Sequence, residues 1–318
     1  MQEVLSFAEI HAAAARIAPF IRRTPVMRCP ELDSETGAEV FFKCENFQEM
    51  GAFKLRGASN AVMSLTSEAL AKGVATHSSG NHGTALALAA QRRGVPACVV
   101  MPEDASAYKQ RAVAQYGAKI IHCEPTQAGR EAALAEYVAL SGATVVHPYN
   151  DRAVMAGQGT AALELHEEVP GLDVVIAPLG GGGLLSGTAV ATRALRPGTQ
   201  VLGAEPLGAD DGWRSLQAGH IVPVAHPDTV ADGLRATIGP LTFAVLRAEI
   251  DAVIRVDDPA ILEAMRFVWE RMKIVIEPSA ALPVAVLRRG LTEVRGRRVG
   301  IILSGGNVDL DHLSWSVK

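Results

Sequence analysis

Val174-Val175-Ile176-Ala177-Pro178-Leu179-Gly180-Gly181-Gly182-Gly183-Leu184-Leu185-Ser186-Gly187 is the stretch from which the fold of this 318-residue chain is read. A short β-branched run reads as a buried strand, and the residues after Gly183 turn to a helical pattern. Between them, four consecutive glycines remove every Cβ. Backbone N–H groups can then converge on an anion where the helix dipole also favours negative charge. The plain alternative is a flexible turn, but four glycines in an exposed loop lose entropy on folding with nothing to offset it. Two familiar phosphate loops fit poorly. From Gly182 the spacing to Gly187 imitates a P-loop, yet Thr188 follows and the phosphate-reaching lysine is missing; the dinucleotide pattern fails because its third glycine falls on Leu185 or Ser186. A monophosphate ligand fits better.

Working outward, the same alternation runs along almost the whole chain. Candidate strands are Val40–Cys44, Ala97–Met101, Lys119–Cys123, Thr144–His147, Val174–Pro178, Gln200–Ala204 and Arg298–Leu303. Helical patterns lie between them, such as Thr84–Arg92, Gly129–Leu140, Gly157–Glu168 and Leu184–Leu195. This predicts an α/β fold with mostly parallel sheets flanked by helices, probed by ligands at the carboxyl ends of strands. Glycine clusters at Gly51 and Gly57, Gly80 and Gly83, Gly180 to Gly183, and Gly305 and Gly306 fall near such handovers. They point to one site assembled from distant segments.

Composition excludes several function classes. A net charge of −4 argues against a nucleic-acid partner, which needs concentrated Lys and Arg. Cys29, Cys44, Cys98 and Cys123 show no CxxC spacing and read as small buried hydrophobes in a reduced compartment. No signal-peptide pattern opens the chain and no apolar run reaches the roughly 18 residues of a membrane span, so a cytoplasmic protein without a membrane partner is expected.

Lys54 lies in Asn46-Phe47-Gln48-Glu49-Met50-Gly51-Ala52-Phe53-Lys54-Leu55-Arg56-Gly57-Ala58. Alone it reads as a solvated lysine. Between apolar Phe53 and Leu55, desolvation could instead make it a nucleophilic amine, and a lysine beside a monophosphate cradle suits a pyridoxal-phosphate Schiff base.

Four segments together carry a family resemblance: that around Lys54, His77-Ser78-Ser79-Gly80-Asn81-His82-Gly83, Gly180 to Gly183, and Ser304-Gly305-Gly306-Asn307-Val308-Asp309. In order and approximate spacing they resemble the serine/threonine dehydratase and serine racemase family, with the eukaryotic-type serine racemases most alike. Ala156-Gly157-Gln158-Gly159-Thr160 resembles a further family run. The resemblance implies a pyridoxal-phosphate enzyme of the tryptophan-synthase-β-like fold with two domains. Residues 1–64 and 152–318 would form the larger one, and 65–151 a smaller one that closes over substrate. It also implies that Lys54 holds the cofactor and then takes the α-proton, and that Gly180, Gly181, Gly182 and Gly183 bind its phosphate. Asn81 would meet the ring hydroxyl, Phe53 would pack beside the ring, and Ser304 would meet the pyridine nitrogen. A neutral hydroxyl there makes the ring a milder electron sink than a carboxylate would.

Ser78, Ser79, Asn81 and His82 would open a helix and grip the substrate carboxylate; for the two serines, ordinary helix capping is the competing reading. In the racemases, the residue matching Ser79 reprotonates the α-carbon from the face opposite the lysine, so Ser79 permits racemase activity without proving it. Glu205-Pro206-Leu207-Gly208-Ala209-Asp210-Asp211 resembles the family's divalent-cation site. Glu205 and Asp211 would offer carboxylates and Ala209 a carbonyl to magnesium, calcium or manganese, against the alternative of an acidic surface turn.

Departures bear on the substrate. Ala52 and Ala236 stand where relatives carry serines, which puts serine-specific contacts in doubt. Arg130 matches an arginine near the family's pocket and could bind a second carboxylate, or could lie on a helix surface. The expected reaction is loss of water from a small hydroxy-amino acid, giving a 2-oxo acid and ammonia. L-Serine and L-threonine lead, with serine racemisation as a companion activity and 3-hydroxyaspartate as the alternative. A thiol-dependent β-replacement enzyme and a silent phosphate- or pyridoxal-binding module are the other readings. A homodimer is the family's habit, and a chain that stops shortly after Asp309 leads to the expectation of no amino-acid-sensing regulatory domain.

Overall fold

Runs of Val and Ile buried on both faces, as parallel strands require, set the architecture. A computed structural model of the chain describes residues 5–78, 80–311 and 313. Its strands are β1 (Val26–Arg28), β2 (Glu39–Cys44), β3 (Val74–His77), β4 (Ala97–Pro102), β5 (Lys119–Cys123), β6 (Thr144–Val145), β7 (Val174–Pro178), β8 (Gln200–Pro206), β9 (Ala252–Val256) and β10 (Arg298–Leu303). One sheet has the order β1-β2-β10-β7-β8-β9 and the other β5-β4-β3-β6. Pairing is parallel except between β1 and β2. The four-stranded sheet draws all its strands from residues 74–145, and the six-stranded sheet draws on the flanking sequence.

Predicted strands at Lys119–Cys123, Val174–Pro178 and Arg298–Leu303 form as read. Thr144–His147 shortens to Thr144–Val145, because the chain turns into the His147-Pro148 segment that borders the site. Three strands escaped the sequence reading. β3 is Val-Ala-Thr-His, with no apolar run to mark it, yet all four residues are buried between β4 and β6. β1 has only three residues, and β9 is an edge strand with partly exposed side chains. All four cysteines are free and buried, as expected. Among the described residues no helix is long and apolar enough to cross a membrane.

Three helices, Lys54–Ser64, Arg152–Glu168 and Gly183–Leu195, stack against one another and place both the lysine and the glycine loop. Their approach is close enough to need glycine. A Cβ on Gly157 would lie 2.6 Å from the Arg56 carbonyl oxygen, and one on Gly187 would lie 2.5 Å from the Gly159 nitrogen. Side chains there would prise the Arg152–Glu168 helix away from the lysine helix on one side and from the glycine-loop helix on the other.

Beneath this stack lies a buried ionic network. The Arg56 Nε and Nη2 donate to Glu45 at 2.8 Å each, and Nη1 and Nη2 donate to Glu164 at 2.7 and 2.8 Å. Thr24 donates to Glu45 at 2.5 Å, and the buried Lys43 amine lies 2.8 Å from Glu164. Burial alone would disfavour the guanidinium, but Glu45 and Glu164 hold its pKa above the ordinary value. Truncating one member strands buried charge, which typically costs about 3–5 kcal/mol. Arg56→Ala is therefore expected to lose stability on that scale in denaturant unfolding; a loss of under about 1 kcal/mol would mean the network is not a keystone.

Candidate active site

The carboxyl ends of β3, β7 and β10 open onto a cavity of about 910 Å³, at the upper end of the roughly 300–1,000 Å³ usual for small-molecule sites. Lys54 is the first residue of its helix, preceded by Phe53, and its Nζ donates to the Pro148 carbonyl at 2.8 Å and lies 5.2 Å from the Phe53 ring centroid. The side chain borders the cavity and is only partly buried by surface, but protein atoms surround the amine. Burial pulls its pKa down to about 8, with the Glu277 carboxylate opposing. The desolvated amine foreseen from sequence is present.

The segment before Lys54 is zipped to the one after β10. Phe53 N–H donates to the Ser304 carbonyl at 3.0 Å, Gly306 N–H to the Gly51 carbonyl at 2.8 Å, and Ala52 bridges Gly305 antiparallel. Residues some 250 positions apart thereby hold Ser304, which is buried and borders the cavity, on the floor that carries Lys54. Opposite them, Gly180, Gly181, Gly182 and Gly183 line the cavity and lead into the Gly183–Leu195 helix. Gly182 has φ +91°, which a Cβ would strain. A Cβ on Gly181 would fall 2.4 Å from atoms of the Tyr149 ring. The loop is therefore a packed, left-handed turn rather than a slack linker, with helix N–H groups at its end.

Ser78 borders the cavity, and its Oγ accepts from Gly80 N–H at 3.2 Å. Ser79 lies outside the described residues. The helix begins at Asn81 with Gly80 as its cap and no side-chain cap bond, so helix capping does not account for Ser78. Asn81 borders the cavity and donates from Nδ2 to both Glu277 oxygens, at 2.9 and 3.1 Å. His82 is buried, and its Nε2 faces the Val146 carbonyl at 3.1 Å. A carbonyl only accepts, so the proton sits on Nε2 and Nδ1 is left as a bare acceptor. Burial and then Lys54 hold the imidazole pKa well below its usual value. The His82 ring thus has no charge to offer a carboxylate.

Arg130 sits in the first turn of the Gln127–Ser141 helix and borders the cavity beside His77, Gln127 and Tyr149. Its Nη2 donates to Gln127 Oε1 at 3.0 Å, while its Nε is buried with no hydrogen-bond partner. The neighbouring rings are neutral at pH 7. His77 and His147 meet edge to face at 5.7 Å, and His147 and Tyr149 at 4.6 Å. Burial lowers the pKa of His77 and takes that of His147 to about 4, and it pushes the Tyr149 phenol to about 12.

The acidic residues of the Glu205–Asp211 segment are buried, contrary to an acidic surface turn: Glu205, Ala209 and Asp211 are at most 2% exposed, while Leu207 and Gly208 face solvent. Glu205 accepts from Gly212 and Trp213 N–H at 2.8 Å each, and Asp211 from Ile238 N–H at 2.8 Å. Burial, reinforced by mutual repulsion with neighbouring carboxylates, raises Glu205 to about 8 and Asp211 to about 6. Asp210, between them, is instead held by Arg214 and Arg255. Among the described residues no group of three or more His, Cys, Asp or Glu side chains could hold a metal ion, so the segment offers two carboxylates and a carbonyl.

Sequence reasoning missed Tyr149, Glu277, and the Lys109–Asp232 ion pair at the cavity wall. Glu277 carried a faint signal, since Glu-Pro before an apolar helical run marks a helix start.

The sequence pattern of the pyridoxal-phosphate dependent enzymes matches residues 17–305, and the chain belongs to that family. Pyridoxal phosphate is accordingly its cofactor. The chain is 49% identical to the beta-hydroxyaspartate dehydratase of Paracoccus denitrificans over 98% of its own length and 99% of that protein. It is 47% identical to the serine racemase of Dictyostelium discoideum, covering 96% of each chain. The solved structure of maize serine racemase superposes with a TM-score of 0.95 at 45% identity, over 98% of this chain and 97% of that one.

Covalent labelling of Lys54 in cofactor-free protein is expected to rise through a midpoint near pH 8, whereas a free lysine-containing reference peptide follows the ordinary lysine value of about 10.4. Mass spectrometry of the two peptides across pH checks this; coincident profiles would sink the desolvated-amine reading.

Proposed function

We propose that this enzyme eliminates water from 3-hydroxyaspartate, giving oxaloacetate and ammonia, and that L-serine and L-threonine are its slower substrates. The observation that carries the choice is Arg130, whose buried Nε has no partner while its side chain borders the cavity among neutral rings. A guanidinium at the cavity wall with an N–H still unpaired suits a second carboxylate, which such a group can hold through two parallel hydrogen bonds once it turns to the ligand. A substrate with only one carboxylate leaves that N–H unpaired. The sequence reading put serine and threonine first; the orientation of Arg130 and the loss of serines at Ala52 and Ala236 favour the diacid.

The residues fit pyridoxal phosphate: an amine of lowered pKa, a glycine cradle at a helix start, a buried hydroxyl at Ser304 and an amide at Asn81. When bound, the cofactor supplies an electron sink for the pair released at the substrate α-carbon. Lys54 anchors it and, once displaced by the substrate amine, removes the α-proton through Nζ. A pKa near 8 suits this work, because the amine is partly neutral at physiological pH and still basic enough to accept the proton. Gly180 to Gly183 would hold the phosphate through N–H groups, Phe53 would flank the ring, and Ser304 would offer the pyridine nitrogen a neutral hydroxyl. Ser78 and the N–H groups at Asn81 and His82 receive the α-carboxylate, with Arg130 on the distal one. Ser79 would supply the second base needed for racemisation of serine; elimination requires only Lys54 and an acid that protonates the departing hydroxyl. The unit of residues 65–151, which carries both Asn81 and Arg130, is the part read as closing over substrate.

A divalent cation, magnesium or calcium, is proposed at Glu205, Ala209 and Asp211. Two buried carboxylates, both raised first by burial and then by neighbouring aspartates, fit a cation that would relieve them, with water filling the remaining positions. Its role would be structural. Chelation is expected to lower the melting temperature of the wild type and to leave that of Asp211→Asn unchanged.

Release of 2-oxo acid from L-serine, L-threonine and both 3-hydroxyaspartate diastereomers tests the substrate assignment. Arg130→Met is expected to lower kcat/KM for 3-hydroxyaspartate by about tenfold or more, the scale of a lost charged hydrogen bond, and to change serine turnover little. Equal losses on both substrates would reject the role given to Arg130.

A further inference from the structure

Glu277 has no role in the chemistry above, yet it is built into the cavity wall. It caps the Pro278–Arg288 helix, is 5% exposed, and donates its backbone N–H to the Gly305 carbonyl at 3.0 Å. The chain makes room for its carboxylate, since a Cβ on Gly305 would lie 2.7 Å from Glu277 Oε1. Its two oxygens receive the Asn81 amide at 2.9 and 3.1 Å. On the other side of Asn81, the Asn307 Nδ2 donates to Asn81 Oδ1 at 2.8 Å and also to the Met50 carbonyl at 2.8 Å.

These bonds decide which way the Asn81 amide faces. An ionised carboxylate can only accept, so the NH2 group must turn to Glu277. Asn307 is pinned by a carbonyl that can only accept, so it presents N–H to Asn81 and claims the amide oxygen. One Asn81 N–H is used on Glu277, and the second is left for the cavity. The charges around Glu277 are Asp232 and Lys109, which pair with each other, the Lys54 amine and, when ionised, Tyr108.

We infer that Glu277 is a positioning residue that, together with Asn307, locks Asn81 so that its remaining N–H meets the ring oxygen of pyridoxal phosphate. This rests on the reading above that Asn81 faces the cofactor ring. Without the carboxylate Asn307 alone restrains the amide, and a turn that brings its oxygen toward the ring oxygen, where it would repel it, is no longer opposed from both sides. Burial and the charge of Asp232 bring the Glu277 pKa to about 7, so the group is largely ionised under mildly alkaline conditions.

The test is a double-mutant cycle on cofactor affinity at mildly alkaline pH. Cofactor-free wild type, Asn81→Ala, Glu277→Ala and the double variant are each titrated with pyridoxal phosphate and followed by visible absorbance and tryptophan fluorescence. Each single change is expected to weaken binding about tenfold, the scale of a lost charged hydrogen bond, and the double variant no more than Asn81→Ala alone. Glu277→Gln keeps an acceptor facing Asn81 and is expected to restore affinity and absorbance spectrum to near wild type. Should Glu277→Ala fail to fold, Glu277→Asp replaces it, keeping the charge but withdrawing the acceptor by one methylene, with the same weakening expected. Additive losses, or a Glu277→Gln variant as weak as Glu277→Ala, would overturn the positioning role while leaving Asn81 at the ring. No loss in Asn81→Ala would overturn the site reading itself, and this inference with it.

Discussion

The fully buried Arg56 guanidinium, clamped between Glu45 and Glu164, is the constraint on which the site depends. Arg56 stands two residues after Lys54 on the same helix. Glu45 follows β2, and Glu164 lies on the helix that stacks against both the lysine helix and the glycine-loop helix. One residue thus ties together the strand beside β10, the lysine and the support of the phosphate cradle. Buried ion pairs contribute little net stability against an apolar replacement, because desolvation offsets their attraction. What they contribute is direction. A guanidinium with fixed geometry admits one arrangement of its two carboxylates, and so one rotation of the helix that carries the reactive amine.

Inside the cavity, the electrostatic plan is restraint. Lys54 is brought to about 8 and His147 to about 4, and Tyr149 is kept protonated by a shift to about 12. The rings of His147 and Tyr149 are therefore neutral at physiological pH, each shift having burial as its first cause, and the charge in the wall is left to a few groups such as Lys54, Arg130 and Glu277. A phosphate meets backbone N–H groups and a helix dipole, both of which attract anions without a counter-charge of their own.

Much of this was legible beforehand, for physical reasons that differ by segment. Val174–Pro178 and its glycines could be read because a doubly buried strand and a run without Cβ atoms leave unmistakable local traces. Lys54 could be read only jointly with them, since its desolvation is produced by Pro148 and other residues far along the chain. β3 was missed because its burial comes from β4 and β6 on either side and not from its own composition. Glu277 and Tyr149 were missed for the same reason: one is defined by its grip on Asn81, the other by the space that Gly181 leaves for its ring. His82 was identified as a site residue, but its ring faces the Val146 carbonyl, a partner that no spacing rule supplies.

The zipper between residues 50–53 and 304–307 also bears on how the protein is made. The floor of the cavity closes only when β10 has inserted between β2 and β7, two strands synthesised long before it. Pairings so distant in sequence form late, because the entropy of closing the intervening loop opposes them until they are complete. During translation the amine, the glycine cradle and the helix start at Asn81 can all exist without forming a site. Cofactor capture then waits on the insertion of β10, and until that strand is in place the gap between β2 and β7 leaves apolar strand edges open to chaperones and to other chains.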